Sequence, residues 1–493
     1  MNKNLIEEED EIFYSFVDND VQVTNWARLP AIVETYTKDA TKASNYNDVP
    51  ASISFFVMLG QLCKDMIAIP SGVNIDDCRI QFAWLQTSGT GKSTLTNWYI
   101  PIIREAFERV NTQYGTQMNI FETTDYTDAA LIGSYERRTE EVVDDDGQTR
   151  RIEVEAPIQG QLDGSGLAMW DEFEASGVFK QSQHKENAVV YLNTFMNTLH
   201  GETWIITKKL KMGDEPIECK CERSVYATTY IPKHLTTVIA EKGVLQRLLI
   251  FIYEVPQHQQ QQMRRQLIAD FGTIKAREKV QTKYADSFVK LYECVKERYD
   301  AVGGDQLKVI RYDKTANDAL LQECILMERY ITNSRQVVFE AMETFINRIL
   351  KHIEKMAVLC CVAEAPSIPD KSKRFIVTDK HVLQASSLIR NCYKSLVSWL
   401  DEALREEKRG LEQKANVGAF KAEYRNLIKN PKGSRKLLKD GWVKKGILIE
   451  KVMAVTKRGN STIYKWYAEI DEYFEETAMA DKTKLVRLKE DWT

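Results

Sequence analysis

The run Gln86-Thr87-Ser88-Gly89-Thr90-Gly91-Lys92-Ser93-Thr94 constrains this chain more than any other stretch. An apolar run (Ile80, Phe82, Ala83, Trp84, Leu85) precedes it, and apolar residues at helical spacing (Leu95, Trp98, Tyr99, Ile102, Ile103) follow. The pattern predicts a strand, a glycine loop and a helix in direct succession. In that setting glycines let the backbone wrap an anion, and the first N–H groups of the helix point at it. A lysine neutralises the outer phosphates, and a serine hydroxyl can hold Mg2+. Ser88, Gly89, Thr90, Gly91, Lys92, Ser93 and Thr94 are the expected phosphate-binding residues, with ATP as the nucleotide and Ser93 as a ligand to Mg2+. One position departs from the pattern Gly-x-x-x-x-Gly-Lys-Ser/Thr: Gln86 stands where the first glycine is expected.

With 493 residues the chain can hold roughly two to four domains with proper cores. Its 28% charged and 43% hydrophobic residues are ordinary for a soluble globular protein. The net charge of −4 means that a polyanion must be held by a local basic patch, because the overall field repels it. No apolar stretch approaches membrane-spanning length, and the acidic N-terminal residues do not read as a signal peptide. A soluble, intracellular protein with no membrane partner is expected. The nine cysteines form no framework, and Cys219-x-Cys221 and Cys360-Cys361 have no partner pair at zinc spacing, so reduced, buried thiols are expected.

Four regions follow from the patterning. Residues 1–80 read as an N-terminal helical region, with Pro50 able to start a helix and Pro70-Ser71-Gly72 able to stop one. Residues 81–256 alternate short apolar strands with helical patterns, the signature of an α/β fold with a parallel sheet. Residues 257–405 read as long amphipathic helices, the glutamine run after Gln257 being the polar start of one. Residues 406–493 form a basic C-terminal region and tail.

Within 81–256, Gly166-Leu167-Ala168-Met169-Trp170-Asp171-Glu172 is an apolar strand ending in two carboxylates. Ligands of open α/β sheets bind at that strand edge. Asp171 is the expected second Mg2+ ligand, and Glu172 the group that orients or deprotonates the attacking water. A third strand, Ser224 to Tyr230, ends in the hydroxyls of Thr228 and Thr229, suited to sensing the γ-phosphate. Arg247 stands just before the apolar strand Leu248 to Phe251, a place that resembles the one from which an arginine of ring ATPases reaches the neighbouring subunit's ATP and stabilises transition-state charge; capping of a helix C-terminus is the plainer reading.

The order of these elements resembles that of AAA+ ATPases. A finer likeness lies in Thr127-Asp128-Ala129-Ala130-Leu131-Ile132-Gly133, a hairpin around Asp146-Gly147, and the approach Gly160-Gln161-Leu162-Asp163-Gly164-Ser165-Gly166 to Asp171-Glu172-Phe173. It looks like the minichromosome maintenance (MCM) helicases, where a small-residue helix is interrupted by a hairpin insert. A second hairpin, Thr203 to Lys211 returning through Ile217 to Cys221, occupies the place of the pre-sensor-1 hairpin of MCM and superfamily 3 viral helicases. The resemblance implies that Lys208, Lys209 and Lys211 grip single-stranded or forked DNA in a central pore. It further implies a sensor-2 arginine at Arg348, a sensor-1 role for Thr229 or Thr228, a homo-hexameric ring, 3′ to 5′ translocation, and a primase or polymerase as further partner. It covers roughly residues 81–256 with part of 340–400. The family's N-terminal oligonucleotide-binding domain has no counterpart, which is closer to compact phage or viral helicases. An AAA+ remodeller or helicase loader, and a viral DNA-packaging ATPase, are the alternative readings. In the tail, Gly441 to Tyr467 reads as helix, turn, helix with Ser461 as N-cap, a small winged-helix-like domain with Lys457, Arg458 and Lys465 near DNA backbone. Residues 481–493 are expected to fray or to serve as contact with a partner.

Overall fold

The computed structural model describes residues 28–44, 48–71, 74–123, 127–143, 149–173, 186–196, 205–208, 217–232, 235, 243–269, 277–365, 374–429 and 441–489. The chain divides into two compact units, one ending at Leu400 and one beginning at Asp401.

In the first unit, helices α1 (Ala31–Ser44) and α2 (Asp48–Cys63) precede the antiparallel pair β1 (Ala68–Ser71) and β2 (Asn74–Asp77). The strands correct the expectation of helix up to residue 80. The apolar run Met66-Ile67-Ala68-Ile69 is too short for an amphipathic helix, and Pro70 tolerates an edge strand better than a helix interior. Asp77 is then held by an ion pair with buried Arg79 at 2.7 Å. Helix α2 is buried on nearly every side, and its Gln61 carboxamide hydrogen-bonds Ser165, Glu222 and Ser224 of the sheet. Tyr36, Phe55, Trp98, Tyr284 and Phe288 meet edge-to-face or tilted, which locks α1 and α2 onto helices α3 (Lys92–Tyr114) and α8 (Arg277–Ala301) of the same unit.

The core follows as β3 (Phe82–Gln86), α3 (Lys92–Tyr114), β4 (Met118–Thr123), the single turn α4 (Asp128–Leu131), the hairpin β5 (Gly133–Val143) and β6 (Thr149–Gln159), then β7 (Gly164–Trp170). Next come α5 (Glu186–Phe195), β8 (Ile205–Lys208), β9 (Ile217–Thr229), α6 (Gly243–Arg247) and β10 (Leu249–Tyr253). Five parallel strands lie in the order β10-β3-β9-β7-β4, and β8 pairs antiparallel with the start of β9. All five residues of β3 are buried, as a parallel strand covered on both faces requires. The glycines before Asp171 have a packing reason. Gly166 has φ +135, and a Cβ there would sit 1.9 Å from the Asn119 carbonyl oxygen of β4. Buried Arg223 ties the same corner together, donating to Asn119 Oδ1 at 2.5 Å and to the Asp163 carbonyl at 2.6 Å.

Helices α7 (Gln257–Ala269) and α8 (Arg277–Ala301), strand β11 (Ile310–Tyr312), α9 (Lys314–Thr332), α10 (Gln336–Ala363), strand β12 (Phe375–Val377) and α11 (Asp379–Lys429) complete the order, and the unit boundary falls within α11. The second unit adds β13 (Val443–Lys444), α12 (Lys445–Thr456), α13 (Asn460–Glu469), β14 (Phe474–Ala478) and β15 (Lys484–Leu488), with sheet order β13-β15-β14. Two expectations are corrected there. Residues 484–488 do not fray: they form the central strand, because Leu485, Val486 and Leu488 are needed in the core. Helix α13 starts at Asn460 with Gly459 as its N-cap and no side-chain cap, so Ser461 lies inside the first turn. Among the described residues, no helix is long and apolar enough to cross a membrane.

Candidate nucleotide site

Strand β3 lies between β10 and β9 in the sheet, and α3 begins six residues after its last residue, Gln86. The loop between them turns on Gly89 (φ 73) and Gly91 (φ 93), both left-handed, the second serving as N-cap of α3. A side chain at either would be strained. The Lys92 ammonium donates to the Gln86 and Thr87 carbonyl oxygens at 2.7 and 3.2 Å, so it is held over the loop.

Gln86 shows why a residue other than glycine works at the head of this loop. Its side chain is fully buried. Nε2 donates to the carbonyl oxygen of Thr90 at 3.0 Å and to its hydroxyl at 2.8 Å, while Oε1 accepts from the Trp84 indole at 2.9 Å. Thr90 in turn donates to the Thr87 carbonyl, and the Thr87 hydroxyl accepts from the backbone N–H of Val255 just beyond β10. The loop is thus braced from within by one carboxamide. Its only signal in the sequence was the departure from pattern.

The sheet order puts β9 between β3 and the Asp-Glu strand β7. Leu85 pairs with Thr229 and Trp170 with Ala227, so the two threonines extend past the end of β7. The Thr228 hydroxyl donates to Asp171 Oδ1 at 2.7 Å, and the Glu172 backbone N–H donates to the same oxygen at 3.1 Å. Thr228 therefore positions Asp171, which leaves Thr229 for the cleft. Glu172 has φ 52, a left-handed conformation that costs a non-glycine residue about 1 kcal/mol. Buried Phe173, stacked on Trp170 at 5.5 Å, anchors the chain on the far side of that kink and leaves the Glu172 carboxylate exposed.

A cavity of about 360 Å³ brings these groups together. Ser88 to Thr94, Asp171, Glu172 and Thr229 line it, with Tyr230 and Met263 of α7 as additions that no motif announced. A second cavity of about 270 Å³ lies on the other side of Ser93, Asp171 and Thr228. Ser93 and Asp171 suit Mg2+: both offer hard oxygen donors to one cleft, and Mg2+ needs only one or two protein ligands beside phosphate oxygens and water. Among the described residues no three His, Cys, Asp or Glu side chains gather to hold a metal, and Cys219 and Cys221 are free, buried thiols whose pKa burial pushes up.

Arg247 and Arg348 lie elsewhere. Together with Asp76, Arg79, Lys351, His352 and Lys355 they line a cavity of about 220 Å³ that shares no residue with the cavity at the glycine loop. It opens at the other edge of the sheet, where β3 and β10 start: Leu249 pairs with Phe82. The Arg247 guanidinium donates to Asn193 Oδ1 at 3.0 Å and to the Gly243 carbonyl at 2.7 Å. Burial, and then the Arg348 charge, lower its pKa from the usual arginine range. Burial, then the charges of Lys355 and Arg348, push His352 down to about 3, so it is neutral there. The Lys351 ammonium is paired with Asp76 at 2.8 Å. Sequence reasoning found the two arginines but not this shared cavity, because its members come from segments far apart in the chain.

Of the three lysines expected to grip DNA, Lys208 closes strand β8, while Lys209 and Lys211 lie outside the described residues. The antiparallel pairing of Ile205–Lys208 with Ile217–Lys220 forms the base of the expected hairpin. Compared with models of known protein families and with curated proteins, the sequence matches none.

Proposed function

We propose that this chain is an ATP-driven DNA helicase with an AAA+ core, a homo-oligomeric ring of the MCM and superfamily 3 kind. The observation that carries the reading is the cleft in which Ser88 to Thr94 face Asp171, Glu172 and Thr229. Residues Gly89 to Thr94 wrap the phosphates with backbone N–H groups and the start of α3. Lys92 exchanges its two carbonyl partners for phosphate oxygens. Ser93 and Asp171 would hold Mg2+, which neutralises charge on the phosphates when bound. Glu172 takes the proton of the attacking water, and Thr229 reads the γ-phosphate.

Reach supports a trans role for Arg247. From the start of β3, beside which Arg247 stands, to Gln86 is four strand residues, roughly 13 Å, more than an arginine side chain spans. In this reading Arg247 serves an ATP bound to a neighbouring copy, and Arg348 in the same cavity does likewise. A heterologous, head-to-tail contact generates a ring where its rotation closes, and that closure is part of this reading. The lysines of the second hairpin, Lys208, Lys209 and Lys211, hold single-stranded DNA by its phosphates in a sequence-independent way, and a primase or polymerase is the expected further partner.

The test is unwinding of forked DNA together with ATP hydrolysis measured with and without single strands. A helicase unwinds the fork and is stimulated by single-stranded DNA. Alanine at Lys208, Lys209 and Lys211 together should spare basal hydrolysis and abolish unwinding. Hydrolysis without any unwinding points instead to a remodeller or loader, and full unwinding by the triple variant removes the hairpin from the mechanism.

A further inference from the structure

The unit from Asp401 onward has a charge and a surface that ATP chemistry does not use. It holds 21 Lys and Arg against 16 Asp and Glu, in a chain that is −4 overall. Helices α12 and α13 meet across the turn Lys457-Arg458-Gly459, where Lys457 closes α12 in the left-handed conformation (φ 54). One side of the pair is spoken for: Leu448, Val452, Ile463 and Tyr467 pack with Phe474 and Val486 of the sheet. The other side exposes Asn460, Ser461, Tyr464 and Lys465, spaced so that they form one ridge along α13.

Lys445 pairs with Glu476, and Arg487 with Glu475. Lys457 and Arg458 in the turn and Lys465 on the ridge have no ion-pair partner among the described residues. The large apolar side chains exposed on this unit, Val455, Tyr464 and Met479, belong to three different elements, which is a poor basis for a protein-docking patch.

We infer that this helix-turn-helix, with the β14–β15 hairpin beside it, binds duplex DNA. Helix α13 is about 15 Å long, and the major groove, about 12 Å wide, admits a helix. Asn460, Ser461 and Tyr464 at its N-terminal half face the base edges, and Lys457, Arg458 and Lys465 hold phosphates. A single strand is the weaker fit, because the ridge offers one ring, Tyr464, where stacking of successive bases needs several.

The experiment uses the full chain without nucleotide and a labelled short duplex of mixed sequence, titrated between about 50 and 200 mM salt. The unsubstituted protein should bind with a steep salt dependence. Lys457→Ala/Arg458→Ala/Lys465→Ala should flatten the log–log salt slope by roughly 2–3 and weaken low-salt binding at least tenfold, while basal ATP hydrolysis stays unchanged. Lys465→Arg should retain binding. An unchanged slope in the triple variant overturns the inference, as does an unsubstituted chain that fails to bind duplex at low salt. Lys92→Ala, which removes hydrolysis under the proposed function, should bind duplex normally, so the two readings fail separately.

Discussion

Replacing Gln86 by glycine would restore the phosphate-loop pattern, yet the structure predicts that it damages the protein. Gln86 is fully buried, and its two carboxamide polar atoms make three hydrogen bonds: two to Thr90 and one from Trp84. Its φ is not left-handed, so glycine relieves no strain there. Gln86→Gly removes all three bonds, orphans the Trp84 indole N–H in the sheet core, and leaves a void the size of the side chain. The two bonds to Thr90 contribute about 1 kcal/mol each, and the orphaned Trp84 donor costs about 1–3 kcal/mol, so a loss of about 3–5 kcal/mol follows. Part of that loss falls on loop order. If about 1.4 kcal/mol of it reappears as the cost of re-ordering the loop around bound ATP, Kd for ATP rises roughly tenfold. Urea denaturation followed by tryptophan fluorescence, and titration with a fluorescent ATP analogue, measure the two quantities. A Gln86→Gly protein that matches the parent in urea midpoint and in Kd would refute the argument that the carboxamide braces the loop.

Two further outcomes are expected. Glu172→Gln and Arg247→Ala should each lose hydrolysis by a factor of about 10² or more while still binding ATP; mixing the two dead proteins should recover up to about a quarter of the activity, since a random ring contains that share of interfaces with both groups intact. No recovery on mixing, with subunit exchange verified, excludes the trans role of Arg247. The second concerns pH. His352 is held neutral in the fold with its pKa at about 3, whereas in the unfolded chain it protonates near its ordinary value of about 6.5. The unfolded state therefore binds the extra proton as pH falls, and the folded state loses stability progressively from pH 6.5 downward, by about 2 kcal/mol at pH 5. His352→Gln should flatten the stability profile between pH 6.5 and 5; an equally steep profile in that variant rules out His352 as its source.

The strand, glycine turn and helix around Gly89 and Gly91 were legible because the residues that a phosphate-binding loop needs are contiguous. Glycines, lysine and serine must follow one another within a few residues to wrap an anion, so the pattern survives in one dimension. The same holds for Asp171 and Glu172, which end one strand together. The alternation of apolar strands with helical spacing likewise announced the parallel sheet, and the Asp-Gly turn announced the β5–β6 hairpin. Short apolar runs were less readable. Residues 68–77 and 484–488 were misjudged because a run of four or five residues has no periodicity long enough to separate strand from helix or tail, and only pairing partners decide it.

Strand order could not be read from the chain at all. It puts β9 between β3 and β7, and that alone separates Thr228, which holds Asp171, from Thr229, which lines the cleft. The register of β10 against β3 carries Arg247 to the edge of the sheet away from its own phosphate loop, and packing of α10 brings Arg348 beside it. Local residue order sets which groups a backbone can present next to one another. Which groups meet across the molecule depends on how buried apolar faces choose their partners, and that choice is a property of the assembled core.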